Sequence, residues 1–202
     1  MIYRDVLRMF FAAVLSLVMS IAFFISGCVP VSGTYYRPSA SMGKSVRVEG
    51  GCGPVSRIRI TLSDVVIWIE YEPLEERPGQ AWPIGVGVRF DIPQNKAISL
   101  NVKEIAVQDK NGNVLSSSPS LYFFSNEGRG ISLQADQTML FGDAHLLKWG
   151  YSRYQVFLKI RANSPEFFYV MLPPMNIGNK HYPEMTVKFT KTRGHWLAGE
   201  AC

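Results

Sequence analysis

Three histidines, a cluster of glutamates, three cysteines and two loop motifs are the residues of this 202-residue chain whose types could do chemistry. Asp143 and His145 would share one face of a strand, and His181 and Glu184 could meet in a turn, so two such pairs could in principle offer metal donors. Three histidines so far apart fit ordinary surface positions better, and no metal is expected. Glu70, Glu72, Glu75 and Glu76 crowd one strand end and its loop. Glycoside hydrolysis needs two carboxylates facing each other at a set separation, which a run along one edge does not give, so a solvated charge run is the expectation. Asp109-Lys110-Asn111-Gly112-Asn113 copies the opening of an EF-hand loop, but Val114 stands where the loop needs glycine and Ser120 where it needs glutamate. The same residues suit a hairpin turn with Asn-Gly at its tip. Gly43-Lys44-Ser45 ends like a phosphate loop, yet Pro38 occupies the position of its first glycine, and no strand precedes it. There is no G-x-S-x-G, and no cysteine beside a histidine. No catalytic residue and no cofactor are expected.

The cysteines are Cys28, Cys52 and Cys202. The first ends the most hydrophobic stretch of the chain. Met9 to Gly27 is 19 residues without a charge, preceded by Arg4 and Arg8. A basic start, an apolar run and small residues at its close describe a secretory signal, and the run is also long enough to span a bilayer. Ile25-Ser26-Gly27-Cys28 resembles the lipobox of bacterial lipoproteins: an aliphatic residue, two small residues, then cysteine. The resemblance implies cleavage between Gly27 and Cys28, a diacylglyceryl thioether on the Cys28 thiol and usually an acyl group on the new amine. Two or three acyl chains anchor where one does not. It also implies a partner, the lipid bilayer. In this family the residue after the cysteine influences sorting. Val29 is not the aspartate that retains such proteins at the inner membrane, which favours an outer-membrane site facing the periplasm over the inner membrane. The segments TYYRPSA and LPPMNIGNKHYP resemble stretches of uncharacterised lipoproteins and imply no activity.

With Cys28 lipidated, the odd cysteine count of an exported chain resolves into one pair, Cys52 and Cys202. A disulfide there would close a loop of about 150 residues, worth roughly 5 kcal/mol in the chain-entropy account. The absence of C-x-x-C argues against a redox motif or zinc ribbon.

The elements that must position these residues read as β. Residues 1–27 are assigned to the signal, 28–54 to a flexible Gly/Ser/Pro-rich tether and 55–202 to one domain. From Val55 the hydrophobic period is two. Ile58, Ile60 and Leu62 share a face; after Ser63-Asp64 the phase slips to Val65, Ile67 and Ile69, which requires a bulge or tight turn. Val86 to Ile92, Ile98 to Val102, Ile105 and Val107, Leu121 to Phe124, Met139 to Phe141, Tyr154 to Ile160, Phe167 to Leu172 and Thr186 to Lys191 are further strand candidates, and DAHLLKWG reads as one helical turn. Seven to nine short strands predict a single antiparallel β-sandwich, immunoglobulin-like in one version, with a barrel as the alternative.

A net charge of +5 is mildly basic and lacks the dense basic stripe of a nucleic-acid binder. Trp82, Trp149 and Trp196 lie beside Pro or Gly in loop-like contexts, where aromatic faces can stack on sugars or close a sandwich core. Lys188, Lys191 and Arg193, together with Lys180, give the last strand region a modest basic face. The expected function is a non-catalytic envelope module that binds a protein or glycan through these residues; the alternative is a hydrolase acting on cell wall or lipid.

Overall fold

Alternating apolar and polar residues leave one side of each strand to be buried, and the chain meets that demand with three antiparallel sheets around one core. The computed structural model describes residues 29–39, 46–49, 56–73, 84–124, 130–134, 139–142, 150–160 and 165–198. The strands are β1 (Val29–Ser39), β2 (Val46–Glu49), β3 (Arg57–Leu62), β4 (Val65–Pro73), β5 (Ile84–Pro93), β6 (Ala97–Ser99), β7 (Ala106–Gln108), β8 (Ser120–Phe124), β9 (Gly130–Leu133), β10 (Met139–Phe141), β11 (Tyr151–Ile160), β12 (Phe167–Leu172), β13 (Met175–Ile177), β14 (Lys180–Tyr182) and β15 (Met185–Ala198). A seven-stranded sheet runs β2-β3-β4-β5-β11-β8-β9, and two four-stranded sheets run β1-β15-β12-β7 and β10-β6-β13-β14. Buried residues of all three form one cluster, including Ile67, Val88, Phe90 and Leu158 from the large sheet and Phe168, Val187, Phe189, Ile98 and Ile177 from the smaller ones. The architecture is the antiparallel β-sandwich; its strand order does not establish an immunoglobulin-like topology.

The phase slip after Leu62 is a two-residue hairpin. Ser63 and Asp64 both take positive φ, 45° and 70°, as a type I′ turn requires, and β3 and β4 pair on either side of it from Leu62↔Val65 to Arg57↔Glu70. The Asp109–Asn113 segment is likewise a turn. Asp109 Oδ1 accepts from the Asn111 and Asn113 amides at 2.7 and 2.9 Å, and Gly112 supplies a φ of 82°. These bonds hold the Asp109 carboxyl below its usual range, the Asn113 side chain contributing most. Beyond the turn, residues 114–116 form a strap between layers: Val114 bridges Gln108 at the end of β7, and Ser116 bridges Ile160 at the end of β11.

Two expectations are corrected. Part of the 28–54 tether is sheet: β1 pairs with β15 over eleven residues, and β2 pairs with β3 at the edge of the large sheet. β1 is polar and contains glycine, so it shows little hydrophobic period, and its partner β15 lies more than 140 residues away; β2 is only four residues long. The single strand expected over Ile98–Val102 is instead β6 followed by a 3₁₀ turn at Val102–Glu104, capped by Asn101, whose side chain accepts from the Lys103 amide at 3.2 Å. The DAHLLKWG helical turn lies almost wholly outside the described residues.

Pairing of β1 with β15 extends past the core. Tyr36 is buried, its ring 4.9 Å from Phe168 and 5.1 Å from Tyr71, and its hydroxyl donates to the Pro165 carbonyl. Lys191, Arg193 and His195 continue the inward phase of Val187 and Phe189, yet they are exposed. Beyond Thr190, β15 pairs with β1 and no longer with β12, so toward Val29 the pair continues as a two-stranded ribbon.

Candidate binding face

The large sheet buries one side and presents the other, and the presented side gathers unusual chemistry. Register sets it out in rows. Arg59, Trp68, Arg89, Gln155 and Tyr122 lie opposite one another across β3, β4, β5, β11 and β8. The neighbouring row runs Val66, Asp91, Arg153 and Phe124, and the row on the other flank runs Arg57, Glu70, Gly87 and Phe157. Each of these residues holds an outward position because its neighbours in sequence, Ile58, Ile67, Ile69, Val88, Phe90, Val156 and Tyr154, are buried.

Trp68 is the centre. The guanidinium carbons of Arg89, Arg57 and Arg59 lie 4.9, 5.2 and 5.6 Å from its ring centroid, within cation–π range. Its Nε1 donates to Asp91 Oδ2 at 3.1 Å. The other oxygen of Asp91 accepts from Arg153 Nε at 2.8 Å, and Arg153 Nη2 donates to the Tyr151 hydroxyl at 2.8 Å. Arg89 Nε lies 3.5 Å from Asp91 Oδ2, close enough for attraction but without hydrogen-bond geometry. Asp91 is only 7% exposed, so one nearly buried carboxylate orients the indole and two guanidiniums. Burial pulls the Arg89 guanidinium below its usual range; Asp91 opposes that shift and Arg153 adds to it. The Nε atoms of Arg57 and Arg89 are shielded from solvent and have no hydrogen-bond acceptor among the described residues.

Beside this cluster the face is hollowed by glycine. A side chain at Gly85 would meet the Phe157 ring at 2.7 Å, and one at Gly87 would meet Gln155 and Glu72 at 3.0 and 3.1 Å. Glu72 packs into this hollow with a long 3.4 Å bond from Gln155 Nε2. Burial, and then the charge of Glu70, push its carboxyl up, against the smaller effect of Gln155.

The residues singled out in sequence fall elsewhere. Gly27, Cys28, Cys52, Cys202, Trp82, Trp149, Asp143, His145, Glu75 and Glu76 lie outside the described residues. Trp196 is on β15, opposite Val31. Lys188, also on β15, is half-buried with its ammonium 4.4 Å from the Phe167 ring, so it is engaged with an aromatic neighbour of its own sheet. Lys191 and Arg193 are exposed on the ribbon, where Ser32, Gly33, Thr34, Arg193, Gly194 and His195 line a shallow cavity of about 440 Å³. His181 is exposed and exchanges a 2.9 Å bond with Asn176 through Nδ1. Among the described residues no group of three or more His, Cys, Asp and Glu could hold a metal ion. No helix among them is long and apolar enough to cross a membrane.

The arginine–tryptophan face was not anticipated. Its members read individually as the polar half of four strands, and only the register between strands assembles them. The available signal was arginine itself, at Arg57, Arg59, Arg89 and Arg153, wherever lysine or serine would have kept a sheet face wet. No protein family, no curated protein and no solved structure matches this chain.

Proposed function

We propose that the chain is a lipid-anchored envelope protein whose β-sandwich is a non-catalytic binding module, working through the outward face of its large sheet. The observation that carries the binding assignment is the convergence of Arg57, Arg59 and Arg89 on Trp68, fixed from behind by Asp91. Rigid aromatic and arginine side chains held in place before contact lose little entropy on binding and are the residues that carry interface energy. The anchoring assignment rests on the sequence: Ile25-Ser26-Gly27-Cys28 closes a signal-like segment, and acylation of Cys28 would hold the domain at a bilayer, with the outer membrane facing the periplasm as its location. Cys52 and Cys202 are then the remaining pair, available for a disulfide.

Two measurements test this. Fatty-acid labelling in a bacterial host should mark the wild-type chain, and Cys28→Ala should take up no label and stay uncut; a labelled, cleaved Cys28→Ala chain rejects the anchor. Crosslinking in native membranes should capture an envelope component with wild type and lose it with Trp68→Ala; capture unchanged by that substitution rejects the face as the binding surface.

A further inference from the structure

Each sheet ends in two edges, and the edge strands of the three are β1, β2, β7, β9, β10 and β14. An edge presents backbone N–H and C=O groups that invite another strand, and proteins ordinarily blunt it with charge, proline or a cover. β1 carries Pro30, Arg37 and Pro38, β2 carries Arg47 and Glu49, and β14 carries Lys180 and His181. The strap at residues 114–116 covers β7, where the Leu115 amide donates to the Val107 carbonyl at 2.8 Å. β10 is only three residues long. β9, Gly130-Ile131-Ser132-Leu133, holds neither charge nor proline, and its first three residues are exposed. β8 pairs with one side of it, and no described residue pairs with the other.

We propose that this open edge of the large sheet is a docking site for an extended segment of a partner protein, which joins β9 as a further strand. The site lies apart from the arginine–tryptophan cluster of β3, β4 and β5 and needs nothing from it. Register gives the side-chain chemistry of the segment. Ile131 lies opposite Phe123 and Leu133 opposite Leu121, so both fall on the core side of the sheet. Leu121 is buried, and Phe123 and Leu133 pack against the core, yet Ile131 is 52% exposed. Cover on the core side therefore runs out at Ile131. An added strand would set alternate side chains beside Ile131 and Leu133, and the others beside Gly130 and Ser132. The segment that fits has β-branched apolar residues at every second position and uncharged polar residues between them. Main-chain bonds supply affinity and the alternate side chains supply selectivity. Length decides between a segment and a second copy. A four-residue edge is roughly 14 Å long, too short to bury the ~800 Å² per partner of a standard interface between folded domains.

The test follows the fluorescence anisotropy of a short fluorescein-labelled peptide alternating valine and threonine, titrated with the full chain in non-ionic detergent. Wild type should bind it saturably. Ile131→Lys supplies the charge this edge lacks and should weaken binding about tenfold or more, the worth of completing the burial of a half-exposed isoleucine. Ser132→Lys, at the exposed neighbouring position, supplies the same charge if Ile131→Lys lowers the melting temperature. Val114→Lys makes the same change at another apolar residue, 63% exposed on the strap, and should bind like wild type. The peptide N-methylated throughout keeps its apolar side chains but offers no N–H, and should not bind. Absence of saturable binding overturns the site. So does unchanged binding by both folded lysine variants of β9, or equal binding of the N-methylated peptide. Sedimentation should show wild type as a monomer; a dimer that Ile131→Lys dissolves would give the edge to a second copy and overturn the assignment to a peptide segment.

Discussion

Trp68 and Asp91 sit in different rows of the large sheet, yet the indole reaches diagonally from β4 to β5 so that its Nε1 donates to Asp91 Oδ2 at 3.1 Å. The bond holds the ring in place, 4.9 Å from the Arg89 guanidinium, and gives the outward face a fixed centre. Asp91 spends its other oxygen on Arg153, so a single side chain sets the positions of an aromatic and a cation on two different neighbouring strands.

Asp91→Ala should therefore destabilise the fold by about 3 kcal/mol, because it removes the acceptor of both Arg153 Nε and the indole N–H at a site only 7% exposed. Asp91→Asn keeps one acceptor and should cost roughly half as much. Urea denaturation of the two variants checks the order.

Gly142→Ala should be among the most damaging substitutions in the chain. A Cβ at that position would sit 1.9 Å from the Pro93 carbonyl oxygen, and the Gly142 amide is tied to the Lys96 carbonyl at 2.9 Å, so neither backbone can step aside freely. The expected loss is about 3 kcal/mol, as for severe overpacking, read as a fall in melting temperature.

Glu72 gives a pH signature. Its carboxyl is pushed above the ordinary value of 4.5 by burial and by Glu70, so folding favours the protonated form. The stability this provides is complete below the unfolded-state value and is lost as pH rises through the raised folded-state value. Glu72→Gln should accordingly stabilise the protein at pH 7, by about 0.5 kcal/mol once solvent screening of a half-exposed group is allowed for, and should change nothing at pH 3. Melting temperatures at both pH values check it; a gain of equal size at pH 3 contradicts the assignment.

Tyr36 holds the ribbon to the core through Phe168, Tyr71 and the Pro165 carbonyl. Tyr36→Ala should cost about 3 kcal/mol and should release β1 before the rest. In hydrogen exchange, amides of β1 and the distal half of β15 should lose protection while Val86, Val88 and Val156 in the large sheet keep theirs. Uniform loss across the sandwich would show that the ribbon and core open as one unit.

Much of the sandwich was legible because its core strands are amphipathic. Ile58, Ile60 and Leu62 alternate with Arg59 and Thr61, and Val86, Val88, Phe90 and Ile92 with Gly87, Arg89 and Asp91, while the slip at Ser63-Asp64 allowed a bulge or a tight turn, of which the structure has the turn. Strands β1, β2, β9, β13 and β14 were not legible. They are short, edge-lying or polar, and their apolar period is too weak to separate from a loop. The binding face failed to show for a different reason. Arg59, Trp68, Arg89 and Gln155 span nearly a hundred positions and meet only through register, whereas a sequence displays neighbours along one strand. The tryptophans beside Pro and Gly drew attention by context; the one at the centre of the site, Trp68, occupies an ordinary outward strand position.

The ribbon also fixes an order of events. Its first strand begins at Val29, next to Cys28, and its second ends at Ala198. Among the described strands β1 is the first in the chain and β15 the last, so residues 29–39 have no sheet partner until β15 has been made. Eleven residue pairs then zip together, and a strand that waited through all the others becomes half of a stiff post, rising roughly 3.4 Å per residue. Closing the ribbon is thereby the step that depends on every other strand having been made.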